Sequence, residues 1–173
     1  MMATHTRRAA IALAVIGGAI GLALAAAAAA GATTASERIT LTGTSTGTTN
    51  SPIRAVATGP IRAIGTARIK SRPNGTESTT LRFRDGTVHA IAVQKAQQIH
   101  LNSKKCTATN DSRGTFTITG GTKAFRGARG HLTYHTRAVL LGARSPSGAC
   151  LGQSAPPRST SIKSIVTGTA TLP

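Results

Sequence analysis

The sequence predicts an all-β domain, either a closed barrel or a sandwich of antiparallel strands, preceded by an N-terminal export segment. Three observations carry that prediction. Apolar and polar residues alternate with period two over several runs, as in Leu81-Arg82-Phe83-Arg84. Turn-forming pairs recur between those runs, among them Gly59-Pro60, Asn74-Gly75 and Asp85-Gly86. No helical periodicity extends over a useful length beyond the first segment, and evenly spaced strands with glycine turns are the signature of barrels and sandwiches.

Along the chain, Arg7 and Arg8 form a short basic region ahead of an apolar, alanine-rich run from Ala9 to Ala32. Small residues follow, and Ala30-Gly31-Ala32 or the stretch ending at Ala35 meets the small-residue cleavage preference of a signal peptide. Residues 1–35 are therefore read as a signal peptide, with an uncleaved anchor as the rival, because the run exceeds the ~18 apolar residues that can span a bilayer. Either reading places residues 36–173 outside the cytoplasm as one domain, secreted or in the cell envelope. Ala9-Ala10-Ile11 continues the arginine pair poorly for twin-arginine export, which favours the Sec route.

Ile39 and Leu41 open the first strand, and Ile53–Ala57 forms the next. In the run Ile61–Arg72, one face carries Ile61, Ala63, Gly65, Ala67 and Ile69. The other carries Arg62, Ile64, Thr66, Arg68, Lys70 and Arg72, so the strand is apolar inside and basic outside. Asn74-Gly75 turns the chain into Leu81 and Phe83, and Asp85-Gly86 turns it again into Thr87–Val93. Gln94–Leu101 is read as strand, with a loop through Asn102–Lys105. Gly114–Thr119 and His131–Leu141 follow, then a Ser/Pro/Gly-rich loop over Ser145–Arg158 and a closing strand over Ser161–Leu172.

The chain carries a formal charge of +17; losing residues 1–35 removes Arg7 and Arg8 and no carboxylate, leaving +15. Such a charge attracts polyanions, among them teichoic acids, acidic polysaccharides and anionic lipids, and most of it is arginine, the side chain suited to bidentate phosphate contact. With no tryptophan, one tyrosine and three phenylalanines, a base-stacking platform is not supported, and no specific nucleic-acid partner is predicted. The two cysteines, Cys106 and Cys150, form an even count in an exported chain and predict a disulfide.

The segment Gly114–Gly130 combines a strand (Phe116 and Ile118 on one face) with a break at Gly120-Gly121, where positive φ would permit a sharp reversal. Its pattern, Gly120, Gly121, Thr122, Phe125, Gly127, Ala128 and Gly130, resembles the signature turn of the allene oxide cyclase barrel-like and dirigent-like proteins, including small secreted actinobacterial members. Gly59-Pro60-Ile61, Gly65-Thr66, Phe83-Arg84-Asp85-Gly86-Thr87 and Cys106 follow the same order, and Cys150 fits the partner cysteine. The resemblance covers most of residues 53–141. It implies an eight-stranded antiparallel barrel with a central cavity, and Phe125, between the glycines of the turn, is read as plugging one end. It also implies an activity on an unsaturated lipid or phenolic substrate in some relatives.

Those activities depend on acidic groups in the cavity. Here Glu37 is read at the start of the mature chain, Glu77 after a turn, Asp85 in a hairpin and Asp111 in a loop, so none is expected in an apolar site. His131 and His135 share one strand face, about 13 Å apart at their α-carbons, too far to hold one metal together. Tyr134 lies on the opposite face with Leu132, Ala138 and Leu140, which reads as core. No catalytic, metal or cofactor residue is predicted. Lys123, Arg126 and Arg129 at a barrel rim, with Arg62, Arg68, Lys70 and Arg72, are the candidate anion contacts.

The sequence therefore reads as a non-catalytic binding or envelope module. Its ligand would be a small apolar molecule in the cavity or a polyanion outside, with membrane contact only through an uncleaved N-terminal segment. The alternative is a cyclase-like or dirigent-like enzyme.

Overall fold

Alternation between small or β-branched residues and polar ones runs through nearly the whole domain, and it closes into a barrel. The structure, a computed structural model, describes residues 32–46, 49–50, 52–152 and 155–173; residues 1–31 of the predicted signal segment 1–35 lie outside them, and Thr33–Ala35 of that segment pair with Ala170–Leu172 in the barrel. The strands are β1 (Thr33–Thr46), β2 (Thr49–Asn50), β3 (Ile53–Thr58), β4 (Ala63–Ser71), β5 (Thr76–Phe83), β6 (Gly86–Asn102), β7 (Thr107–Gly121), β8 (Arg129–Leu141) and β9 (Ser159–Leu172). Each barrel strand pairs antiparallel with its neighbour in the order β1-β3-β4-β5-β6-β7-β8-β9, and β9 returns to β1. The short β2 only extends β1. The all-β barrel prediction is correct.

Closure rests on the β1–β9 seam, which runs from Thr33↔Leu172 to Thr46↔Ser159. Because strand side chains alternate between faces, closure sends one set inward. The core holds Ile39, Leu81, Val88, Phe116, Ile118 and Val166 together with Ala55, Ala57, Ala67, Ala90 and Ala92. The alanines let the walls approach with few large side chains. On β4, Ala67 is buried and Arg68 and Lys70 are exposed, as the alternation requires.

One end is closed. The 59–62 connection, the Asp85-Gly86 hairpin and the turn after β7 meet there. Phe125 is buried there and packs edge-to-face on Phe83 with ring centroids 5.6 Å apart, in keeping with its reading as an end plug. The turn itself differs from expectation. β7 continues through Gly121, and the reversal occurs in a 3₁₀ turn at Lys123–Phe125, with Lys123 (φ 53°) and Gly127 (φ 80°) in the left-handed region. Gly121 is required by space, because a Cβ there would collide with the carbonyl oxygens of Phe125 and Thr87.

The other end is open and uneven. β5 begins at Thr76, opposite Val93, so β6 continues beyond its β5 neighbour. A register shift between Gln94 and Ala96 leaves Lys95 as a bulge. From there β6, β7, β8, β9 and β1 rise past the mouth as a curved overhang. The Gln94–Leu101 segment is strand, as predicted. β7, however, starts at Thr107 rather than Gly114, because both faces of 107–113 are polar or only partly covered and show no alternation. The Cys106–Cys150 disulfide (Cα–Cα 5.5 Å) ties the β6–β7 hairpin to the loop before β9. Gly142 N–H donates to Cys106 O at 2.7 Å and the Arg144 guanidinium to Lys104 O at 2.6 Å beside it.

Removing the crosslink with Cys106→Ala and Cys150→Ala is expected to lower unfolding free energy by about 4 kcal/mol, given the length of the loop it closes. Gly121→Ala is expected to lower it by about 1–3 kcal/mol through overpacking. Denaturant melts of the two variants check both values.

Candidate functional site

Two concave surfaces follow from this architecture. The first is an internal cavity of about 340 Å³ between the core and the open end. Its apolar lining comes from Leu41, Ile53, Ile69, Phe116, Ile162 and Val166. Its polar lining is Glu77 and Thr79 on β5, Gln94 on β6, Asn110 and Ser112 on β7, Tyr134 and Thr136 on β8, and Ser164 on β9. The strand registers explain the grouping. Ser112, Thr136 and Ser164 are successive cross-strand partners and face the same way, and Thr136 Oγ1 donates to Ser164 Oγ at 2.7 Å.

Two acidic residues depart from the sequence reading. Glu77 shares the inward face of β5 with Thr79, Leu81 and Phe83 and lines the cavity. Glu37 is buried on β1 beside Ile39, and burial raises its carboxyl pKa against the opposing pull of backbone N–H groups. Its Oε2 accepts the Ile61 N–H at 2.8 Å beneath the Gly59-Pro60 loop, while Oε1 has no partner. Both lie in apolar surroundings on a strand face. The alternation showed this parity: Glu37 falls in step with Ile39 and Leu41, and Glu77 with Leu81 and Phe83. Asp85 sits in its predicted hairpin. Asp111, expected in a loop, lies in β7 facing outward, 3.8 Å from His135 Nε2.

Tyr134 occupies the expected face, where it packs partly buried against the core and also lines the cavity. Burial first, and the Glu77 charge second, raise its phenol pKa, so it is a neutral hydrogen-bond donor at physiological pH. Gly114, its cross-strand partner, makes room for the β6 backbone and for the ring; a Cβ there would collide with the Val93 carbonyl oxygen and lie 2.8 Å from Tyr134 Cε1. Asn110 Oδ1 is buried in the cavity wall without a hydrogen-bond partner. The cavity thus presents a donor, a carboxyl group and an unsatisfied acceptor against an apolar background, with no lysine or arginine in its lining.

The second surface is a cleft of about 440 Å³ on the outer wall, bordered by Arg68 and Lys70 on β4, Arg72 in the turn after it, Arg82 on β5 and His89 on β6. Three of the predicted anion contacts meet there. Arg62 is exposed at the closed end of β4, apart from them. Lys123 and Arg126 are exposed at the closed rim, while Arg129 donates to the Thr119 and Ala128 carbonyls and fastens the turn to β7. His131 and His135 point outward and His100 stands on the overhang; among the described residues, no group of three or more His, Cys, Asp or Glu could hold a metal ion.

Comparisons with family models, with curated proteins and with solved structures find no match.

A raised pKa means that the folded chain keeps the Glu37 proton after the unfolded chain has released it. Stability is therefore expected to fall as pH rises from the ordinary carboxyl range, about 4 to 5, through the raised folded value. Glu37→Gln removes this contribution, and thermal melts between acid and neutral pH should show a shallower decline for the variant. Gly114→Ala is expected to push the β6 backbone at Val93 and the Tyr134 ring away from β7, lowering the melting temperature and changing tyrosine fluorescence, since the chain has one tyrosine and no tryptophan.

Proposed function

We propose that this barrel binds a small, mainly apolar molecule that carries one hydrogen-bonding group. The observation that carries this reading is the cavity, whose size falls within the ~300–1,000 Å³ range of ligand sites. Its wall holds a buried acceptor, Asn110 Oδ1, that no protein group satisfies. A ligand hydroxyl placed there would donate to Asn110 Oδ1 and accept from the Tyr134 phenol. The ligand's apolar body would lie against Leu41, Ile69 and Val166. Export through the N-terminal segment would place this binding outside the cell or in its envelope.

One observation favours a second reading. Glu77 and the Tyr134 phenol face the same apolar cavity, an arrangement that can shuttle a proton to an unsaturated lipid or phenolic ligand. This is the isomerase-like alternative that the family resemblance implies. On the outside, the basic cleft supports contact with an anionic polymer, an association that weakens as salt rises.

Native mass spectrometry of the protein from its own host tests the first reading, since a bound small molecule should co-purify. Ala138→Phe narrows the cavity at its wall and is expected to weaken binding at least tenfold without lowering the melting temperature. Unchanged affinity in that variant would exclude cavity binding. Glu77→Gln separates binder from enzyme: in an enzyme it would lower turnover on the order of a hundredfold with binding little changed.

A further inference from the structure

We infer that the overhang at the open end docks this protein onto an anionic lipid surface. The sequence reading named anionic lipid only as one of several polyanions drawn by overall charge and gave membrane contact to the N-terminal segment; the overhang is a defined site on the folded domain.

The two most exposed large apolar side chains on the overhang are Leu101, 79% exposed, and Ile99, 60% exposed. Their pairing, Ile99↔Asn110 and Leu101↔Ala108, puts them on the inner face, in line with the cavity wall. Leu141 and Leu151 are also exposed at this end. These apolar groups sit on a protruding rim rather than in a groove, a shape suited to a yielding surface rather than to a folded partner. Lys104 and Lys105 occupy the hairpin turn just beyond Leu101, and Lys95, His100 and Arg158 are exposed close by in sequence or pairing. Among the described residues, the carboxylates at this end are Glu77, inside the cavity, and Asp111, beside His135.

Charge complementarity selects the occupant. Apolar side chains ringed by cations suit an interface of anionic headgroups over acyl chains. A second copy would bring the same cations face to face. The disulfide and the Arg144–Lys104 contact hold the hairpin to the neighbouring loop, so the rim is ordered before it meets the surface. The inference does not depend on what the cavity holds.

The test uses residues 32–173, which contain the whole described barrel, its core and its disulfide. These omit the apolar N-terminal run, which would bind lipid by itself. The chain lacks tryptophan, so Leu101→Trp places a single reporter on the rim and Ile64→Trp, at an exposed site on the barrel wall, places a control. With vesicles of phosphatidylglycerol and phosphatidylcholine, Leu101→Trp emission is expected to shift to the blue and Ile64→Trp emission to stay unchanged. Co-sedimentation should fall about fivefold per lysine replaced in Lys104→Gln and Lys105→Gln, and at least tenfold in Ile99→Asp with Leu101→Asp. It should also fall with phosphatidylcholine alone or with added salt. An unshifted Leu101→Trp, or an equal shift in both reporters, would overturn the inference. So would equal losses from Arg68→Gln with Arg72→Gln, which would indicate diffuse charge. Self-association through the rim with no vesicle binding would overturn it as well.

Discussion

The antiparallel seam between the first and last strands is the contact on which the rest of the molecule depends. It joins residues more than a hundred positions apart along its whole length. Without it, the remaining strands would form an open sheet with two exposed edges and one apolar face in water. With it, each strand has a neighbour on both sides through the barrel body, and residue parity becomes a choice between inside and outside. Contacts this distant in sequence form only after the intervening hairpins have reduced the chain entropy of closure. The tight turns at Asn74-Gly75 and Asp85-Gly86 are therefore part of the seam's support.

The partition imposed by closure also sorts the chemistry. Arginines and lysines of β4 and β5 stand on the outer wall and leave the lumen free of positive charge. Two of the four carboxyl groups point inward. Glu37 anchors a loop at the closed end through the Ile61 N–H, and Glu77 stands at the cavity. One supports the fold at some electrostatic cost, and the other is available to whatever enters. The alanine-rich wall leaves volume that larger residues would have filled, so the cavity and the shortage of aromatics have a common origin.

Much of this architecture was legible in the residues. β4 and β5 showed clear alternation because one face of each is buried and the other meets water. Phe125 was read correctly because an isolated aromatic between glycines has few other roles. The first half of β7 was missed because Thr107–Arg113 lies in the overhang, where neither face is fully covered and period two disappears. The Gly120-Gly121 break was placed a few residues early, since glycine there serves close backbone approach rather than left-handed geometry. The inward carboxyl groups were missed for another reason. Their parity was visible, but charge and nearby turns outweighed it. Asn110 sits in an Asn-Asp-Ser sequon, yet the fold turns its amide into the cavity.

A barrel is the one sheet form that leaves no strand unpaired, and the bulge at Lys95 breaks that rule. Past this point β6 has β7 on one side and no β5 on the other. The segment from Lys95 to Asn102 is thus a ladder of free amide and carbonyl groups, able to template an added strand. Its sequence is suited to prevent that: Gln94, Lys95, Gln97, Gln98 and His100 interrupt the apolar residues, and cationic side chains flank the ladder. The cations beside this edge thereby favour solubility. They keep this open edge from stacking into fibres as the protein is concentrated.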